Sequence, residues 1–311
     1  MKIIFFGTTD FAVASLDRLV HSTHEVVAVV TVENKLGGRG RKEIIKSAVC
    51  VYAENHGLPL LQPKALKGPR FLEKIKHLNA DLFVVVAFRM MPEILWSMPP
   101  LGTINLHGSL LPAYRGAAPI NWAIINGENI SGVSVFFLDQ KIDTGKIIYR
   151  HEVKILPEET FGEYYEKLKQ EGANSLEIAV NMITDNKFEP VPQNENFASH
   201  APKLNKDNTR INFDQPAYSV VNLCRGLNPY PGAWCDFEGS QLKIFSCKMS
   251  EDVIATASWV SDYKTYLKIG CKVGSVDLIE IQPEGKKKMS IKEYLNGSGH
   301  KIKALKEGRD S

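Results

Sequence analysis

Asn105 and His107 stand two residues apart in Asn105-Leu106-His107-Gly108, at the end of the apolar stretch Thr103–Leu106. If that stretch is a strand, both side chains lie on one face and Leu106 points the other way. An amide and an imidazole converging on one oxygen can stabilise the negative charge that develops there when an amine attacks a carbonyl. Asp143, in Asp143-Thr144-Gly145, follows the candidate strand Val133–Leu138 and is placed to reach His107 from the adjacent strand end. A carboxylate beside an imidazole holds its tautomer and favours its protonated form. It can also accept the proton that an attacking amine must lose, directly or through a water. Taken singly, Asn105 or His107 is better explained as a satisfied buried polar group, and Asp143 as a turn carboxylate. The combination, followed by a Gly- and Pro-rich loop, points to acyl transfer by direct attack. Ser109 is on the right loop but lacks a G-x-S-x-G setting. No His, Cys or carboxylate spacing suits a metal cage, so no metal is expected.

The elements that must position these groups alternate between strand and helix patterns, the signature of an α/β fold with a Rossmann-like open, mostly parallel sheet. In such a sheet ligands bind beyond the carboxyl ends of the strands. The expected strands are Lys2–Phe6, Val26–Thr31, Leu82–Val86 and Thr103–Leu106, and helical spacing covers Phe11–Leu19, Ile44–Asn55 and Phe71–His77. Val133–Leu138 and Ile147–Val153 add two more strands. Thr160–Thr184 reads as a long amphipathic helix opened by a Thr160/Glu163 capping box, with Leu168, Leu176, Ile178, Ala179 and Ile183 available to a core. The prolines of Glu189–Asn196 suit an extended linker. Beyond it, Gln241–Phe245, Tyr266–Ile269 and Val276–Ile281 are short, β-branched and aromatic, which predicts a small β-barrel. The expected organisation is a catalytic domain over 1–188, a linker over 189–205 and a second domain over 206–311. The first strand-to-helix turn, Gly7-Thr8-Thr9-Asp10, lacks the further glycines of a dinucleotide-binding turn, which demotes a reductase.

Composition bounds the rest. A chain of 311 residues with 44% hydrophobic and 23% charged residues is of ordinary globular type. It contains no apolar run of the roughly 18 residues that a membrane helix needs. Its five cysteines include no C-x-x-C pair, so reduced thiols and a cytoplasmic setting are expected. The net charge of +3 comes from residues 206–311, and residues 286–311 alone carry eight basic against three acidic side chains. That excess favours a polyanionic partner such as RNA, with a solvated basic tail as the competing explanation.

The run Asn105-x-His107-x-Ser109-Leu110-Leu111-Pro112, followed by Asp143-Thr144-Gly145, resembles the hallmark of the folate-dependent formyltransferases. The resemblance implies that Asn105, His107 and Asp143 are catalytic. It also implies that Ser109, Leu110, Leu111 and Pro112 contact the folate, and that the formyl donor is 10-formyltetrahydrofolate. Arg115–Ile120, Leu227–Trp234 and Gln282–Met289 are similar to motifs of the branch that acts on a charged tRNA. This implies methionyl initiator tRNA as acceptor, an OB-like, tRNA-binding C-terminal domain, and tRNA contacts from Arg39, Arg41 and Lys42 in the basic loop after the second strand. The sequence departs from the family pattern at Thr9, where proline is usual, and at Arg89, where the tRNA branch commonly has glycine. A monomeric cytoplasmic enzyme is expected. The alternatives are a formyltransferase acting on a nucleotide-sugar amine and a nonenzymatic RNA-binding protein.

Overall fold

The computed structural model describes residues 1–37, 40 and 43–310. Arg39, Arg41 and Lys42 lie outside the described residues. In chain order the elements up to residue 201 are β1 (Lys2–Gly7), α1 (Asp10–Val20), β2 (Glu25–Val30), β3 (Lys35–Gly37), β4 (Glu43–Ile45), α2 (Ala48–Asn55), β5 (Leu60–Leu61), α3 (Pro69–His77), β6 (Leu82–Val86), α4 (Glu93–Trp96), β7 (Thr103–His107), β8 (Arg115–Gly116), α5 (Pro119–Ile125), β9 (Ile130–Phe137), β10 (Ile147–Lys154), α6 (Phe161–Thr184) and β11 (His200–Ala201). The seven-stranded sheet runs β10-β9-β7-β6-β1-β2-β5. Its pairs from β5 through β2, β1 and β6 to β7 are parallel, and β9 joins β7 antiparallel. Ile3, Ile4, Phe5 and Phe6 are all fully buried, as expected of a central strand covered on both faces. The chain builds outward from β1 to β5, then crosses to the other side of β1 for β6 and β7, so the order reverses at β1.

Two local expectations change. Ile44 and Ile45, read as the start of a helix, belong instead to β4, which pairs with β3, and both side chains are exposed. The Ser47 hydroxyl accepts the Cys50 N–H at 3.0 Å and caps α2 there, which stops the helix extending backwards. On α6, Leu168, Leu176, Ala179 and Ile183 are buried but Ile178 is 41% exposed. At about 100° per residue Ile178 falls on the opposite side from that stripe. The capping box forms as expected: Thr160 donates from its backbone N–H and its hydroxyl to Glu163, each at 2.8 Å. Those bonds hold the Glu163 carboxyl below its ordinary pKa.

The chain divides into two compact units. The first comprises Met1–Pro119, Ser131–Val153 and Glu166–Ala201; the second comprises Ile120–Ile130, Lys154–Tyr165 and Pro202–Ser311. Most of the stretch expected as a linker is therefore within the first unit. It is extended, as its prolines dictate, but tied down: Val191 bridges Ile147, and β11 pairs with β8.

The second unit adds α7 (Ala217–Gly226), β12 (Ala233–Phe237), β13 (Ser240–Ser250), β14 (Trp259–Ser261), β15 (Leu267–Gly270), β16 (Ser275–Pro283), β17 (Met289–Ser290) and α8 (Ile291–Asp310). The strands form a six-stranded antiparallel sheet with β13 and β16 at its centre. Register shifts on either side of Ser246 interrupt the ladder and bend β13. Cys224, Cys235, Cys247 and Cys271 are packed in its apolar core as free thiols. Burial pushes the Cys235 thiol up to about 12 and Cys271 up to about 11, so these are structural and unreactive groups. Among the described residues no helix is long and apolar enough to cross a membrane.

Candidate active site

The parallel strands β6 and β7 end side by side, with Val85 opposite Asn105 and Val86 opposite Leu106. Asn105 is half-buried, Leu106 is buried in the other layer, and His107 is buried at the strand end. The His107 ring stands edge-on to Phe136, with centroids 6.5 Å apart. Its Nε2 lies 2.8 Å from the Tyr114 carbonyl oxygen. A carbonyl only accepts, so Nε2 carries the proton, and Nδ1 is the nitrogen presented to Asp143. The Nδ1 to Asp143 Oδ2 distance is 3.8 Å.

Asp143 reaches this point by an unexpected route. Because β9 is antiparallel to β7, it leaves the sheet at the amino end of β7, where Leu138 N–H bonds the Thr103 carbonyl at 2.8 Å. The loop then returns to bring Asp143 beside His107. Asp143 sits in the left-handed region at φ 55°, a conformation that costs a non-glycine residue energy and persists only when its surroundings hold it. Gly145 closes the turn where a side chain would run into the Phe137 carbonyl, which accounts for glycine in Asp-Thr-Gly. The Asp143 carboxylate accepts the Gly116 N–H at 2.9 Å.

The loop after β7 uses most of its side chains on itself. Ser109, expected to touch folate, is fully buried and donates its hydroxyl to the Ala113 carbonyl at 2.6 Å. Its own carbonyl accepts the Ser134 hydroxyl at 2.7 Å, and Ser134 Oγ accepts the Leu111 N–H at 2.9 Å. Leu111 packs with Phe136 and Ile147. Leu110 and Pro112 remain partly exposed. Thus the structure brings His107 and Asp143 together, with Asn105 two residues before His107 on β7, while Ser109 and Leu111 shape the loop from within.

Residues 193–201 supply the groups that sequence reasoning passed over. Ser199 Oγ accepts the Tyr114 N–H at 2.8 Å, and the Ser199 carbonyl accepts the Arg115 N–H at 2.9 Å. Gln193 donates to the Asp143 and Gly145 carbonyls at 2.9 and 2.8 Å. Arg115 in turn donates to Gln193 and to Glu195. Gln193 and Ser199 sit among amides and small residues with no spacing that marks chemistry, so only their proximity in the fold could have singled them out.

An apolar cleft of about 670 Å³ opens beyond the carboxyl end of β6, lined by Leu66, Met90, Met91, Pro92 and Ile94 with Lys67, Arg89 and Glu93 among its polar groups. Arg89, the departure noted in the sequence, folds back to donate to the Pro63 and Lys64 carbonyls at 2.6 and 3.2 Å and lies over the Phe88 ring. Among the described residues no group of three or more His, Cys, Asp or Glu side chains is placed to hold a metal ion.

Residues 1–180 match the formyl transferase family, and residues 203–299 match the formyl transferase C-terminal domain. The chain belongs to the formyl transferase family. This formyltransferase is 44% identical to a methionyl-tRNA formyltransferase of Flavobacterium johnsoniae, over 96% of each chain. It is 42% identical to one of Parabacteroides distasonis, over 96% of this chain and 95% of that one. Among solved structures it is similar to a sugar 3N-formyl transferase determined with dTDP and 5-N-formyl-THF. That likeness has a TM-score of 0.68 at 20% identity and covers 92% of this chain and 99% of the other, and it bears on the fold alone.

Proposed function

We propose that this formyltransferase moves the formyl group of 10-formyltetrahydrofolate to the free amino group of methionyl initiator tRNA, the step that prepares that tRNA for translation initiation. The approach of Asp143 to His107, with Asn105 two residues away on the same strand, carries the reading, and the curated relatives that match nearly the whole chain favour tRNA over a sugar nucleotide as acceptor. The co-substrate supplies an N-formyl carbon open to attack by an amine. The amine adds to that carbon to give a tetrahedral oxyanion, whose collapse breaks the bond from the carbon to the folate nitrogen. The Asn105 amide, and Nδ1 of His107 once it has taken up a proton, stabilise the charge on the formyl oxygen, each such donor being worth about a hundred- to a thousand-fold in rate. Asp143 takes the amine proton, directly or through a water, and that proton passes on to the departing folate nitrogen.

The apolar cleft after β6 suits a flat aromatic ring system, with Lys67 offering a cation to an acidic tail. Leu110 and Pro112, partly exposed, supply the loop's folate contacts, and the buried Ser109 and Leu111 hold that loop in shape. Arg39, Arg41 and Lys42 contribute phosphate contacts to tRNA, and the second unit adds its own basic surface. One chain carries all three catalytic groups, in keeping with a monomer acting in the cytoplasm. Formylation assays with 10-formyltetrahydrofolate should compare charged initiator tRNA, an amino-sugar nucleotide and glycinamide ribonucleotide as acceptors. Preference for tRNA is expected; preference for either small amine would overturn the assignment.

A further inference from the structure

The Asp143 loop is braced only in part by its own residues, through the Thr144 hydroxyl donating to the Lys141 carbonyl at 3.1 Å. It doubles back from the far end of β9, carries a non-glycine residue at positive φ, and must still present a carboxylate to His107. Gly116 N–H grips the carboxylate, but the backbone on either side of Thr144 is held from outside, by Gln193. The Gln193 amide nitrogen donates both its hydrogens, one to the Asp143 carbonyl and one to the Gly145 carbonyl.

Chemistry fixes which way this amide faces. Carbonyls only accept and guanidinium only donates, so the NH₂ end must face the loop and Oε1 must face Arg115. Arg115 Nε and Nη2 lie 3.0 and 2.8 Å from Oε1. A flipped amide would set two donors against a guanidinium and leave two carbonyls facing an oxygen. Arg115 is itself anchored: its backbone is adjacent to Gly116, its N–H bonds Ser199, and its guanidinium forks onto Glu195. The chain of contacts runs from Glu195 through Arg115 and Gln193 to the backbone of Asp143.

We infer that Gln193 is a positioning residue for Asp143, holding the loop in the strained conformation that aims the carboxylate at His107 and the incoming amine. This rests on the proposed role of Asp143 in proton transfer. Gln193 does not touch substrate, so removing it should affect the chemical step and leave binding alone. A displacement of about 1 Å in a reacting group can cost about a hundredfold in rate.

The test uses the full chain with charged tRNA and 10-formyltetrahydrofolate. Gln193→Met keeps the length of the side chain and deletes both donors. It should lower kcat by about 10- to 100-fold while both KM values stay within about twofold. Gln193→Glu keeps an acceptor for Arg115 but points an oxygen at the two carbonyls, and it should show the same split if the methionine variant folds poorly. The decisive measurement is the cycle with Asp143→Asn: in that background the Gln193 substitution should add less than about twofold, because its whole effect passes through Asp143. A slow Asp143→Asn enzyme combined with normal turnover in both Gln193 variants overturns the inference alone, as does full additivity. Normal turnover in Asp143→Asn overturns the role of Asp143 and the inference with it.

Discussion

Residues 105–116 and residues 193–201 meet where β8 pairs with β11, and they divide the work of the site unequally. The first segment brings the imidazole and the carboxamide on the end of a buried strand, where the parallel ladder with β6 fixes their direction. The second brings none of the three proposed catalytic groups. It offers a hydroxyl, an amide and backbone carbonyls to the turns of the first unit, including Tyr114 and Asp143, both at positive φ. Groups on a strand are held by the sheet itself, whereas groups on a turn need a second layer of hydrogen bonds to keep a costly conformation. The unequal division predicts that substitutions in the first segment destroy chemistry and those in the second degrade its geometry.

The largest effect should come from His107→Ala. It removes a charge-stabilising donor and the partner of both Tyr114 and Asp143. Turnover should fall by at least about a hundred- to a thousand-fold while tRNA affinity persists. Single-turnover rates set beside tRNA binding would separate the two. Near-normal turnover would remove His107 from the mechanism and with it the contrast between the segments.

Gly116→Ala should come next, because it strikes the point where the segments join. Gly116 has φ +122°, and a Cβ there would lie 2.6 Å from the Ala201 carbonyl, which already accepts the Ala117 N–H at 2.8 Å. Strain and the displaced strand pair together should cost about 2–4 kcal/mol of stability. Turnover should also drop as the N–H that grips Asp143 shifts. Thermal unfolding with and without this change checks the first part; an unchanged Tm would mean that β11 yields freely and does not frame the site.

The same division explains what could be foreseen. Fully buried runs such as Ile3–Phe6 and the pattern Asn105-x-His107 declare both their element and their face, because hydrophobic period and residue type are local properties. Asp143 was legible as a partner of His107 but its path was not, since the direction of β9 depends on pairing between distant segments. Gln193 and Ser199 were invisible for the same reason: their role is set by what the fold places opposite them. The prolines around Gln193 signalled extended backbone correctly, yet extension alone does not distinguish a free linker from a strap bonded along its length. Ile44 and Ile45 failed differently, as an apolar pair whose spacing suited a helix until the Ser47 cap ended it.

The smallest effect marks the outer edge of the supporting layer. Glu195 is 71% exposed on its side chain, while its partner Arg115 is 11% exposed. An exposed carboxylate on a guanidinium is well screened by water, so Glu195→Gln should change turnover by less than about twofold. Arg115 holds the Glu195 carboxyl below the usual carboxylate range. A lowered folded-state pKa means that the pair contributes above the ordinary value of about 4.3 and loses its contribution as pH falls through the folded value. Any difference in Tm between wild type and Glu195→Gln should therefore be present at neutral pH and close as the solution is acidified. A tenfold loss of turnover in Glu195→Gln would show that Arg115 cannot orient Gln193 unaided, and it would extend the positioning layer outward to a surface carboxylate.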